Sequence, residues 1–239
     1  MRSDEAVERV LMVTAHPDDV DFGCAGTVAG WTKAGIAVSY CILTDGDAGG
    51  FDPAVPRFEI AGIRQAEQRA AAAEVGVTDL TFLGYPDGRL YVTHELRRDI
   101  SRVIRQIRPQ RVVSQSPQRN FARIYASHPD HLAAGEATLC AVYPDARNPF
   151  AHPELLADEG LEAHTVAELW ISGGEPADHF VDVTDTYDRK LAALRAHASQ
   201  TAHMADLDGM LRGWLGANAA AAGLPDGRLA EAYRVVDTA

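Results

Sequence analysis

His16-Pro17-Asp18-Asp19 places one imidazole and two carboxylates within four residues. Pro17 fixes its own φ and pushes His16 to an extended backbone, so the turn can splay His16 and Asp19 towards one point. Imidazole and carboxylate are ordinary zinc ligands, and a catalytic zinc commonly keeps three protein ligands and one open position. Asp18 is left over, and a carboxylate beside a metal but off it can take a proton from water. His128-Pro129-Asp130-His131 repeats the pattern and supplies a third ligand and one spare imidazole. One His-Pro-Asp turn alone reads as well as a capping turn with a solvated His. Two of them match a two-His-one-carboxylate site with an open position. Iron oxygenases share that donor set, although they usually present it from β-rich scaffolds.

The elements that must position these residues alternate. Residues 10–13 form a short apolar run, a buried strand that ends in the first motif. Residues 23–34 read as a helix, stopped at Gly35, and residues 37–43 as a second strand ending in Thr44-Asp45-Gly46-Asp47-Ala48-Gly49-Gly50. Further helices are expected over 62–74, 94–107, 131–142 and 185–199, and strands over 79–83, 111–114 and 166–171. Residues 143–165 read as a polar, Pro-containing segment, and 217–222 as an Ala-rich helix or surface loop. Strand–helix–strand order favours parallel pairing, so the expectation is one α/β domain over residues 1–239 with a mostly parallel sheet. Ligands of such sheets bind beyond the carboxyl ends of the strands. The loops 15–19, 44–50, 84–88 and the stretch before His131 all leave the sheet there and converge on one crevice.

Composition removes other classes. The 239 residues carry a formal charge of −12, with 34 acidic against 22 basic side chains and no Lys/Arg run, so no basic face for nucleic acid or an anionic membrane is visible. There is no G-x-G-x-x-G after the first strand, no phosphate-binding G-x-x-x-x-G-K-[ST] and no G-x-S-x-G elbow. Cys24, Cys41 and Cys140 are too scattered for a disulfide framework or a Cys-based zinc site and read as free thiols of a reducing compartment. With no signal-peptide stretch and no apolar run of ~20 residues, the reading is a cytoplasmic protein without a membrane span. His94, His152, His164, His179, His197 and His203 lack paired ligand spacing; all but His197 read as surface or satisfied core residues, and His197 is set apart as serving packing or a neighbouring loop.

The sequence resembles the PIG-L/LmbE-like deacetylases over nearly its whole length. The marks are Ala15-His16-Pro17-Asp18-Asp19 with Phe22-Gly23 and Gly26-Thr27; Thr44-Asp45-Gly46; Arg64 with Glu67; Gly84-Tyr85-Pro86-Asp87-Gly88; and His128-Pro129-Asp130-His131 with Gly135. Later marks are 190–200 and Glu231-Ala232-Tyr233-Arg234. The resemblance implies a Rossmann-like fold with helices on both faces of the sheet, and a Zn(2+) cofactor on His16, Asp19 and His131. It implies Asp18 as general base, His128 as the imidazole that stabilises the oxyanion, and Asp130 as the residue that orients His128. Arg64, taken to open its helix, and Asp87 would lie near the substrate's polar head group. The implied substrate is a small N-acyl amino-sugar conjugate, with an amidase on a non-sugar conjugate or natural product, or a non-catalytic metal-binding module, as alternatives. A homo-oligomer, trimer or hexamer, is implied in the same way. Asp47 stands where the family often has Glu. Ala126 stands where some members carry an oxyanion-binding Tyr, with Tyr125 one residue earlier.

Overall fold

β1 (Arg9–Thr14) lies inside the sheet, and its side chains alternate between two apolar layers. The computed structural model describes residues 3–121, 124–173 and 176–239. Val10 and Met12 enter one core, Leu11 and Val13 the other, the period of two that a strand imposes. β2 (Ala37–Thr44), β3 (Asp79–Tyr85), β4 (Arg111–Gln115) and β5 (Glu168–Ser172) run parallel to it, in the order β3-β2-β1-β4-β5. β7 (Ala230–Asp237) and then β6 (His179–Asp182) extend the β5 side and pair antiparallel. The result is a seven-stranded, mostly parallel sheet.

Helices cover both faces. α1 (Asp19–Lys33) and α2 (Arg57–Glu74) pack on the Val10/Met12 side, α3 (His94–Ile107) and α4 (Pro129–Cys140) on the Leu11/Val13 side. A short α5 (Pro153–Ala157) follows, then α6 (Tyr187–Ala196), α7 (Ala198–Thr201) and α8 (Leu207–Ala221). A third apolar cluster joins α6 to α8 through Leu191, Leu194, Leu211 and Leu215. Because β1 neighbours both β2 and β4, the loops after β1 and β4 diverge to opposite faces and leave a crevice between them. Open α/β sheets bind ligands at such a switch point. No helix among the described residues is long and apolar enough to cross a membrane.

The structure moves several expected boundaries. α1 starts at Asp19 rather than residue 23, so a motif carboxylate is the first helical residue. Gly26 within it serves close packing: a Cβ there would stand 2.7 Å from the Val183 side chain. α2 starts at Arg57, so Arg64 lies within the helix and does not open it. The first turns expose Phe58 and have no apolar periodicity to announce them. The helix expected over 185–199 breaks at His197, whose φ −81° and ψ 58° are not helical. Two strands, β6 and β7, and most of α8 escaped the sequence reading. β6 spans four partly exposed residues, and β7 buries Glu231 between apolar neighbours, which blurs its alternation.

Candidate active site

Four loops on the carboxyl edge are laced together by backbone-to-side-chain hydrogen bonds. Ala48 N donates to Asp87 Oδ2 (3.2 Å) and Asp87 N to Asp47 Oδ1 (2.9 Å). Gly88 N and Leu90 N donate to the two oxygens of Asp130 (2.7 and 3.2 Å). Ala15 N donates to Gln115 Oε1 at 2.9 Å, joining the ends of β1 and β4. The loops after β1, β2, β3 and β4 thus form one rigid rim.

His16, Asp19 and His131 meet at its centre. His16 Nδ1 stands 3.2 Å from His131 Nε2 and 3.3 Å from Asp19 Oδ2, and His131 Nε2 stands 3.0 Å from Asp19 Oδ1. Ligands at ~2.0–2.2 Å around one tetrahedral ion would be spaced about 3.4 Å apart, so these separations fit a metal. The tautomers fit as well. His16 Nε2 faces the carboxylates of Asp87 (3.1 Å) and Asp130 (3.3 Å), which fixes the proton there and leaves the Nδ1 lone pair for a cation. Asp19 Oδ2 accepts the backbone N–H of His16 at 2.6 Å, which leaves Oδ1 open beside His131. Among the described residues two further donor groups have ligand atoms within 4.8 Å of one another: His16 with His128 and His131, and His16 with Asp87 and Asp130.

The local field calls for positive charge. Burial would lower the His16 pKa, but hydrogen bonds to Asp130, Asp19 and Asp87 raise it to about 12. Burial opposes the charge on His131 too, yet Asp19 raises its pKa. The Asp19 carboxyl is held well below its usual range, since His131 and His16 outweigh its burial. Protons on two imidazoles satisfy these carboxylates, and a divalent cation would do the same.

Asp18 stands apart from that cluster. Its backbone has φ 94°, rare for a residue with a Cβ and a conformation that costs ~1–3 kcal/mol of strain. Arg64 Nη2 donates to Asp18 Oδ2 at 2.9 Å and also to the Pro17 carbonyl, while Nη1 donates to Gly46 O at 3.1 Å. The guanidinium lies on the Gly46–Gly49 backbone, where an added Cβ on either glycine would collide with it. Burial raises the Asp18 pKa to about 6, against the lowering effect of Arg64. A carboxylate poised there can exchange protons near neutral pH. Asp87, the other residue expected near a substrate, is buried in the rim, 3.9 Å from Arg64.

His128 is the N-cap of α4, with Pro129 at the first helical position. Its Nδ1 accepts from Asp130 N at 3.2 Å, so in the neutral ring the proton sits on Nε2. Burial and the neighbouring His16 and His131 depress its pKa, which keeps the ring neutral. Capping and chemistry coexist in this residue. The expected pairing of Asp130 with His128 is different in the structure: the Asp130 carboxylate meets His16 and the backbone of Gly88 and Leu90, and only its amide meets His128. The Tyr125 side chain lies outside the described residues.

Sequence reasoning missed Gln68 and Asp21. Gln68 Oε1 accepts the Asp18 N–H at 2.8 Å, and its Nε2 donates to Asp21 Oδ2 at 2.7 Å. The available signal was spacing, since Gln68 follows Arg64 by one helical turn. His197, expected to serve packing or a neighbouring loop, is fully buried with Nε2 2.8 Å from the same Asp21 oxygen.

Fold and site together define an α/β protein with a His/Asp donor cluster at the carboxyl ends of its parallel strands. The chain belongs to the PIG-L family, described as GlcNAc-PI de-N-acetylase, whose profile matches residues 11–142. It is similar to the diacetylchitobiose deacetylase of Thermococcus kodakarensis, 36% identical over 194 residues that cover 81% of this chain and 70% of the relative. It is also similar to a probable N-acetyl-alpha-D-glucosaminyl L-malate deacetylase 2 of Bacillus anthracis, 34% identical over 200 residues and 81% of each chain. Among solved structures, the N,N'-diacetylchitobiose deacetylase of Pyrococcus horikoshii superposes with a TM-score of 0.90 at 27% identity, covering 98% of this chain and 85% of that one.

Proposed function

We propose that this chain is a zinc-dependent hydrolase that removes an N-acyl group, acetyl in the first instance, from an amino-sugar conjugate. The carrying observation is the convergence of His16 Nδ1, His131 Nε2 and Asp19 beside a separately held Asp18 carboxylate. Family membership and the deacetylases among its relatives support the same reading.

In this reading His16, Asp19 and His131 hold the zinc, which supplies Lewis acidity for the water and the acyl oxygen. Asp18 takes a proton from the attacking water as oxygen adds to the acyl carbon. His128 donates Nε2–H to the developing oxyanion; removing one such donor typically costs ~10²–10³ in rate. Its neutral ring has no second proton to give. Asp18 therefore returns its proton to the amine as the C–N bond breaks, leaving acetate and a free amino sugar. Arg64 sets the Asp18 carboxylate, and Asp130 and Asp87 set His16. Arg64 and Asp87 also border the space for the sugar hydroxyls. The remaining elements of the proposal are one domain over residues 1–239, a cytoplasmic location and a homo-oligomer, trimer or hexamer.

The test is a screen of zinc-loaded protein against N-acetylglucosaminyl conjugates and non-sugar acetamides, reading released amine and acetate. Equimolar acetate and amine from the sugars supports the proposal. Turnover confined to the non-sugar amides contradicts the substrate class, and zinc-replete protein inert on both contradicts the activity.

A further inference from the structure

Asp18 is held at three points, and only two belong to the rim. Arg64 holds its carboxylate, and its own carbonyl accepts from Asp21 N (2.9 Å) and Phe22 N (3.0 Å) as α1 begins. The third point is its amide, which ends in the Gln68 side chain. Gln68 is fully buried, and so are Asp21 and His197. These three side chains run in one hydrogen-bonded line: His197 Nε2 to Asp21 Oδ2, Asp21 Oδ2 to Gln68 Nε2, Gln68 Oε1 to Asp18 N.

The chemistry of each link restricts what can stand there. A backbone N–H must meet an acceptor and the Asp21 carboxylate must meet a donor, so the middle link needs both at one reach, as an amide side chain provides. The line also leaves two buried polar atoms without partners, Asp21 Oδ1 and His197 Nδ1. Unpaired buried polar atoms are costly, and fastening α6 to α1 does not require them. Lys190 already does that through Asp21 O (2.9 Å), Phe22 O (2.6 Å) and Glu231 Oε1 (2.7 Å). What the line adds is a fixed direction for the Asp18 amide, and hence for a residue at φ 94°.

We propose that Gln68, Asp21 and His197 are positioning residues that lock Asp18 in its left-handed backbone and so aim its carboxylate at the reacting water. The inference rests on the reading of Asp18 as the base. Without the lock, the Asp18 N–H loses its buried acceptor, and the Pro17–Asp18 peptide is held only by Arg64 at the Pro17 carbonyl, so it relaxes. The zinc ligands are held by other bonds, so metal binding is spared.

The experiment compares Gln68→Met, His197→Leu and His197→Gln with the parent as zinc-loaded enzymes, measuring kcat, KM, bound zinc and hydrogen exchange of the Asp18 amide. Gln68→Met keeps the length and removes both bonds. It should lose at least about tenfold in kcat, with KM and zinc content within about threefold, and the Asp18 amide should exchange faster. His197→Gln keeps a donor at the Nε2 position and should stay near the parent, while His197→Leu should fall with Gln68→Met. A Gln68→Met kcat within about threefold of the parent overturns the proposal, as does loss of its zinc. If Gln68→Met does not fold, equal kcat in His197→Gln and His197→Leu overturns it instead. Asp18→Asn separates the two levels: an active Asp18→Asn enzyme refutes the base assignment itself, whereas an inactive one beside a fully active Gln68→Met enzyme refutes only the lock.

Discussion

Arg64 Nη2, within α2, donates to Asp18 Oδ2 at 2.9 Å in the turn that opens α1, 46 residues away in sequence. The guanidinium lowers the Asp18 pKa against a burial that raises it to about 6. In Arg64→Gln the opposing charge is gone, so the pKa rises further. The base must be ionised to act, so activity present above the pKa is lost as pH falls through it. The rising limb of the kcat/KM profile should therefore move to higher pH, with kcat at neutral pH down by about 10–100-fold. A variant whose rising limb stays in place contradicts the pairing.

Asp130 supports His16 rather than His128, and its loss should be read at the metal. A carboxylate on the second nitrogen of a ligating imidazole is typically worth ~10–100-fold in metal affinity. Asp130→Asn should weaken zinc binding by that order in a competition titration with a chromogenic chelator. Unchanged affinity with a large drop in kcat would return Asp130 to His128.

Gly135 is a packing residue. A Cβ there would stand 2.5 Å from the Gln115 carbonyl oxygen and 2.7 Å from Pro117 N, both backbone atoms that cannot turn aside. Gly135→Ala should cost about 1–3 kcal/mol in denaturant unfolding, by overpacking α4 against the end of β4. A neutral substitution would mean that this helix can shift freely.

His164 gives a stability signature on the acid side. It is partly buried, and its Nε2–H donates to Pro109 O at 2.8 Å. Burial lowers its pKa below the ordinary 6.5. The unfolded chain then takes up the proton first, so stability is intact above about 6.5 and falls as pH drops below it. His152 and His179 are depressed in the same direction. Melting curves between pH 5 and 7.5 should show a smaller acid-side loss in His164→Gln than in the parent, and an identical loss contradicts the assignment.

The paired motifs, the parallel strands and the crevice were legible because each obeys a local rule. Apolar runs mark the strands, and Pro after His marks the turns. Tertiary contacts set the rest. Nothing in the order of residues says that Asp130 turns to His16, because the Gly88 and Leu90 amides that hold it come from another loop. The side chain at the break, His197, finds its partner in Asp21, 176 residues away. β7 was hidden because it carries Glu231 into the interior, where Lys190 and the Gly26 and Thr27 amides satisfy it.

The decisive measurement is acetate released from an N-acetylglucosaminyl conjugate by the same preparation before chelation, after chelation and after zinc is restored. Acetate and free amine should appear in equal amounts, be lost on chelation, return with about one zinc per chain, and not return in His131→Ala. Undiminished turnover in the chelated, zinc-free enzyme would contradict the zinc-dependent reading.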